Sequence, residues 1–99
     1  MKIEAYPFQA AKRILPGQRV DGQVEIPKGS KIIHVGAAPP NGEMYMYCEI
    51  SDVEMPKVTL DLCVLKEGDT VPDGYVYRGY ILAIPILFIY ERMKDAIIT

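Results

Sequence analysis

The sequence predicts a mostly β protein, a small antiparallel β-sandwich or open barrel of about six strands. Two observations support this fold class. Apolar and polar residues alternate with a period of two along several segments, and turns containing Pro or Gly separate those segments at hairpin spacing. The chain has 99 residues, a length that suits one domain. We therefore expect residues 1–99 to form a single β domain.

The clearest alternation lies in residues 19–26, where apolar side chains occupy one face and polar side chains the other. Residues 43–50 repeat this pattern, and the dipeptide Asn41-Gly42 just before them favours a type I′ hairpin turn. Pro85 interrupts the last apolar segment and indicates a bend, bulge or edge there, because proline cannot donate to a sheet ladder. The predicted strands are residues 19–26, 31–37, 43–50, 57–65, 75–82 and 86–91.

Short elements are expected near the two termini. Ile3, Ala5 and Tyr6 suit a short additional first strand. The segment from Gln9 to Leu15 suits one or two helical turns before a Pro-Gly pair. The segment from Arg92 to Ile98 suits another, since its apolar residues lie at helical spacing. The fold prediction therefore includes short helical turns near the termini.

Composition excludes several classes of protein. The net charge of −2 and the pI near 5.3 argue against general nucleic-acid binding, which relies on a basic surface. The longest apolar run, Tyr80 to Tyr90, is well short of the roughly 20 residues of a membrane helix. The first residues lack the apolar region of a signal peptide. We expect a cytoplasmic protein, with Cys48 and Cys63 as free, buried thiols.

Catalytic motifs are absent from the sequence. His34 is the single histidine and lies in an apolar strand, so we interpret it as a surface-facing strand residue. The two cysteines lack the CxxC spacing of a zinc site, and no phosphate-binding glycine motif occurs. The sequence therefore predicts a protein that is not an enzyme and that has no metal site and no cofactor.

Tyrosine is the chemically most informative residue type, with seven copies. Tyr45 and Tyr47 share one face of their strand, and Tyr75 and Tyr77 share one face of theirs. Tyrosines on an outer face supply rigid amphipathic contact area, and they also stack on nucleotide bases. Three interpretations stay open: cross-strand pairs that stabilise the sheet, a protein or self interface, and a platform for a small ligand.

The run from Tyr80 to Tyr90 predicts self-association. It is apolar at both strand parities, so both faces of the predicted strands need cover. A partner subunit would supply that cover and make a homodimer or higher oligomer. Ile97 and Ile98 in the tail are the competing cover. The candidate interface residues are Tyr45, Tyr47, Tyr75, Tyr77, Tyr80, Ile84 and Leu87.

Four stretches resemble a family of short uncharacterised proteins from bacteriophages and prophages: Val24 to Val35, Asn41 to Tyr47, Gly74 to Tyr80, and Phe88 to Glu91. The resemblance implies a phage origin and action in the host cell cytosol. We expect a non-catalytic binding protein that inhibits or modulates a host or defence component through a β-sheet surface. The alternatives are a protein that sequesters a signalling nucleotide at a subunit interface and a small structural or virion component.

Overall fold

The computed structural model describes residues 1–11, 19–38 and 42–93, which form eight β-strands. They build a three-stranded sheet in the order β1-β5-β4 and a five-stranded sheet in the order β2-β3-β6-β8-β7. Every strand pair in both sheets is antiparallel. The predicted mostly β, antiparallel class is confirmed. The strands are β1 (Lys2–Pro7), β2 (Gln9–Ala10), β3 (Gly22–Pro27), β4 (Lys31–Ala38), β5 (Glu43–Ile50), β6 (Lys57–Leu65), β7 (Tyr75–Ile81) and β8 (Leu87–Arg92).

The six predicted strands correspond to β3–β8, and the additional first strand is β1. The helical turns near the termini are not seen. Gln9 and Ala10, the start of one predicted turn, instead pair with β3 as β2, so tertiary pairing overrides local preference there. Arg92, the first residue of the second predicted helical turn, is instead the last residue of β8. Residues 12–15 and 94–98 of the two predicted turns lie outside the described residues.

One hydrophobic core joins the inner faces of the two sheets. The alternation predicted for residues 43–50 is confirmed: Met46, Cys48 and Ile50 are buried, whereas Tyr45 and Tyr47 are partly exposed. Burial of each large apolar side chain stabilises the fold by about 1.5–3 kcal/mol, which fixes the register of the strands that carry them. The fully buried side chains from both sheets are Val24, Val35, Met46, Cys48, Leu62, Cys63 and Ile89.

The edge strands β4 and β7 of the two sheets meet at Gly79, which faces Val35. The β7–β8 register shifts between Tyr77 and Gly79, which marks a bulge. Gly79 has a φ of +156°, and a Cβ at this position would lie 2.6 Å from Cγ2 of Val35. A side chain there would push the strands apart, so glycine permits this close approach.

The β4–β5 hairpin is present where Asn41-Gly42 predicted it. Its register pairs Ala38 with Glu43, and the amide of Gly42 donates to the carbonyl of Ala38 at 3.0 Å. The hairpin connection is therefore residues 39–42, and the type I′ turn at Asn41-Gly42 stays a prediction. Gly42 has a φ of +72°, a conformation that suits glycine. Asn41 lies outside the described residues.

Candidate functional site

The β7–β8 connection carries the most exposed apolar side chains of the described chain. The ladder ends at the pair Ile81 and Leu87, so residues 82–86 project beyond the sheet. Leu82 is 78% exposed and Ile84 is 103% exposed. The peptide bond between Ile84 and Pro85 is cis. We call Tyr80, Leu82, Ile84 and Ile86 the apolar tip.

Cover of this run by a partner subunit stays a prediction, and the single chain leaves the apolar tip exposed. Leu82 and Ile86 belong to the connection, and each remains exposed. Ile81 and Ile89 are buried in the core, and Leu87 packs against it. Among the predicted interface residues, Leu87 therefore supports the core, whereas Tyr80 and Ile84 lie on the surface.

A cleft of about 250 Å³ opens beside the apolar tip, between the two sheet edges. His34, Gly36 and Ala37 of β4 line one wall, and Tyr80 and Leu82 line the other. We call this feature the edge cleft. It combines an apolar wall with one imidazole.

The outer face of the three-stranded sheet carries the first tyrosine pair. Tyr47 lies opposite Ala5 on β1 and opposite His34 on β4. The rings of His34 and Tyr47 are 5.8 Å apart and tilted by 42°. Ile3, two residues before Ala5 on the same face, is 61% exposed. We call Ile3, Ala5, His34, Tyr45 and Tyr47 the tyrosine face.

Tyr45 is fixed at the end of the tyrosine face by its own strand. Its hydroxyl donates to a carboxylate oxygen of Glu43 at 2.7 Å. This hydrogen bond to Glu43 raises the pKa of Tyr45. On the neighbouring strands Tyr45 lies opposite Pro7 and Gly36, which have little side-chain bulk to cover the ring. The ring is therefore held in place and accessible.

The second tyrosine pair lies on the five-stranded sheet. Tyr75 and Tyr77 share the outer face, as predicted, because they lie opposite Arg92 and Tyr90 of β8. The ring of Tyr77 meets that of Tyr90 edge-on, with centroids 5.6 Å apart. The hydroxyl of Tyr75 donates to the carbonyl of Arg19, and burial raises its pKa. The fold thus places the two pairs on different sheets and does not bring them together.

A buried polar network on the same outer face was not predicted from the sequence. The side-chain amide of Gln23 donates to Asp61 at 2.8 Å, and the guanidinium of Arg92 donates to Asp61 at 2.9 Å. Asp61 is only 3% exposed. The three residues come from β3, β6 and β8, so no local sequence motif predicts that they are in contact. Because each partner is satisfied within the chain, this network stabilises the sheet.

The groups capable of acid–base or thiol chemistry do not converge. Cys48 and Cys63 are free and buried, as predicted, and burial raises the pKa of each thiol to about 11. Both thiols are therefore neutral and weakly nucleophilic at pH 7. His34 is exposed, as predicted. Among the described residues, no group of three or more His, Cys, Asp or Glu side chains suits a metal ion. Absence of enzymatic activity stays a prediction.

A larger cavity of about 510 Å³ lies at the other end of the molecule, between β1 and the β5–β6 connection. Its charges are mixed: Lys2 lies 3.3 Å from Glu4, and the N-terminal amine lies 3.0 Å from Asp52. The ammonium of Lys57 lies 5.3 Å from the ring centre of Tyr6. This cavity therefore lacks a surplus of one charge with which to select an ion.

The described part of the chain contains no helix with the length and apolarity needed to cross a bilayer. Two antiparallel sheets with a shared core, an apolar tip and an open tyrosine face define a small β protein with exposed aromatic and apolar surfaces. Residues 10–97 match the family described as "Domain of unknown function (DUF7352)", and the chain belongs to that family. No curated protein and no solved structure gives a significant match.

Proposed function

We propose that this protein is a non-catalytic, phage-type binding protein, built as a β-sandwich, that inhibits or modulates a host or defence component. The tyrosine face is the docking surface in this proposal. One observation carries it: Tyr45 and Tyr47 lie on the outer face of the three-stranded sheet together with Ile3, which is 61% exposed. The partner is a folded protein with an apolar, hydrogen-bonding surface.

The chemistry of the tyrosine face suits a protein partner. Tyrosine rings bury large areas at a low cost in side-chain entropy, and their hydroxyls form hydrogen bonds at the rim. Lys31 and Glu49 lie opposite each other at one end of the face and supply a charged border. An apolar and aromatic centre with a polar border is the usual composition of a protein interface.

The phage setting rests on the resemblance of the Val24 to Val35 stretch and the three shorter stretches that follow it. Action in the host cytosol belongs to the same proposal. The phage origin and the action in the host cytosol do not depend on which side chains contact the partner. The docking surface is therefore tested separately from them.

The test is quantitative affinity purification from an infected bacterium, with mass spectrometry of the captured proteins. Wild type is compared with Ile3→Ser/Tyr45→Ser, which alters the tyrosine face. The matched control is Val53→Ser/Val71→Ser, which alters two exposed apolar residues in the connections flanking β6. We expect wild type and control to capture one shared protein that the tyrosine-face variant loses, and that protein to bind in a purified 1:1 mixture.

Equal capture by all three proteins would contradict the docking surface. Recovery of the protein in purified phage particles, with no cytosolic partner, would instead favour the virion component. Circular dichroism spectra of the variants check that loss of capture does not reflect unfolding.

A second candidate, sequestration of a signalling nucleotide, is favoured by the edge cleft, where His34 and Tyr80 line opposite walls. Its volume of about 250 Å³ is below the roughly 300–1,000 Å³ of small-molecule sites, so a second subunit would have to complete it. Because the cleft of one chain is smaller than these sites, we rank nucleotide sequestration below protein binding. A rise in melting temperature with cyclic dinucleotides, lost in Tyr80→Ala, would reverse the ranking.

A further inference from the structure

We infer that a second copy of this chain docks on the apolar tip, so that the tip of each protomer packs into the edge cleft of the other in a twofold homodimer. This interface shares His34 with the tyrosine face but none of its tyrosines. The partner is the same chain, so the inference does not depend on the host protein of the proposed function.

The exposed area is the first reason. Tyr80, Leu82, Ile84 and Ile86 are 51%, 78%, 103% and 43% exposed, which makes an apolar patch on the order of several hundred Å² on one continuous projection. Soluble monomers seldom expose an apolar patch beyond roughly 300–600 Å². The smaller stable interfaces bury roughly 600 Å² per partner. The apolar tip is therefore at the upper limit for a monomer and large enough for a dimer.

Charge is the second reason. Residues 79–90 contain no charged side chain. The charged residues that flank this run in the sequence, Arg78 and Glu91, pair with each other at 2.8 Å. Two copies can therefore approach through this surface without like-charge repulsion, and a strongly charged partner would find no complementary group.

Shape is the third reason. A twofold interface needs a protrusion and a recess on the same surface, because each copy supplies both. Ile84 projects fully, and the edge cleft lies directly beside it, sharing Tyr80 and Leu82 with the tip. A cleft of about 250 Å³ accommodates apolar side chains better than a drug-sized ligand.

The first experiment measures molar mass by size exclusion with light scattering at 1–100 μM, a range of roughly typical affinity for small interfaces. Wild type should reach twice its 11.1 kDa chain mass. Ile84→Asp should raise the dimer dissociation constant by about 30-fold or more. Val53→Asp, a substitution at an exposed apolar residue away from the tip, should leave it unchanged.

The second experiment tests the reciprocal geometry and does not require a stable monomeric variant. Ala37→Cys protein is mixed with Ile84→Cys protein under mild oxidation. We expect a disulfide-linked heterodimer to form faster than either homodimer, because position 37 lies in the edge cleft and position 84 on the tip. Cys48 and Cys63 are buried and do not compete.

A wild-type monomer throughout the concentration range would overturn the inference. So would a dimer unaffected by Ile84→Asp, or cross-linking with no preference for the 37–84 pair. A dimer that forms only with an added nucleotide would assign the cleft to that ligand instead. Ile84→Asp leaves the tyrosine face intact, so loss of the dimer and loss of host-protein capture are distinguishable.

Discussion

The outer face of the five-stranded sheet is closed by groups of the same chain, whereas the outer face of the three-stranded sheet is open to solvent. On the five-stranded sheet, Asp61 is 3% exposed and Cys63 is fully buried although both point away from the core between the sheets. Arg19 lies over this face, since its guanidinium donates to the carbonyl of Val64 at 2.8 Å. On the three-stranded sheet, Ile3 is 61% exposed.

The comparison separates structural residues from candidate binding residues. The closed face contains polar groups whose hydrogen-bond partners come from the same chain, which is what burial of polar groups requires. The open face contains apolar and aromatic groups that remain in contact with solvent, where an incoming surface can cover them. Substitutions should therefore change stability on the closed face and binding on the open one.

Removing the central carboxylate of the closed face should give the largest loss of stability. Asp61→Ala leaves Arg92, whose side chain is 11% exposed, without this carboxylate partner and Gln23 without this acceptor. We expect the free energy of unfolding to fall by about 3–5 kcal/mol, measured by urea denaturation. Asp73→Ala, in an exposed loop, should change it by less than about 0.5 kcal/mol. Equal, small effects would show that the closed face is not held by this network.

The contact between the sheets should be the next most sensitive place. Gly79→Ala places a Cβ 2.6 Å from Val35 and should destabilise the fold by about 1–3 kcal/mol. The loss should be smaller when Gly79→Ala is introduced into Val35→Ala, because the shorter side chain removes the clash. A double-mutant cycle by urea denaturation measures this coupling. Additive effects of the two substitutions would place the strain elsewhere.

Alkaline pH should weaken both sheets through the two buried thiols. Burial raises the pKa of Cys48 and Cys63 to about 11, from an ordinary value of 9.0. The unfolded chain therefore loses these protons first, so stability is unaffected below pH 9 and falls as the pH rises toward 11. The free energy of unfolding of Cys48→Ala/Cys63→Ala should fall less over that window, in urea titrations at several pH values. An equal decline would assign the alkaline loss to the tyrosines.

The sequence predicts the strands well because two-residue alternation and turn residues are local signals. Residues 43–50 and 57–65 have the predicted boundaries. Leu82 and Ile86, which end two predicted strands, lie one residue outside β7 and β8, since an apolar run does not show where pairing stops. The register that ends at Ile81 and Leu87 depends on how β7 and β8 meet.

The candidate sites were predictable only in part, for the same reason. That Tyr45 and Tyr47 share a face follows from strand geometry and is confirmed by the pairing. Tyr75 and Tyr77 lie on the other sheet. This could not be predicted, because the spacing of residues in the sequence does not determine the order of the strands. The hydrogen bond between Arg92 and Asp61 joins residues 31 positions apart in the sequence. A single carboxylate at a polar position of an alternating strand predicts a solvent-facing side chain, so the sequence gives no sign of this contact.

The open face should tolerate substitution with the smallest change in stability. Ile3→Thr keeps a β-branched side chain on edge strand β1 and removes little buried area, so we expect a change within about 0.5 kcal/mol. The same substitution at Ile89, which is fully buried in β8, should cost about 2 kcal/mol or more, because it opens a cavity and buries a hydroxyl. Urea denaturation of the two variants compares them directly. A large loss at Ile3 would mean that another part of the molecule already covers this face, and the proposed docking surface would then be closed.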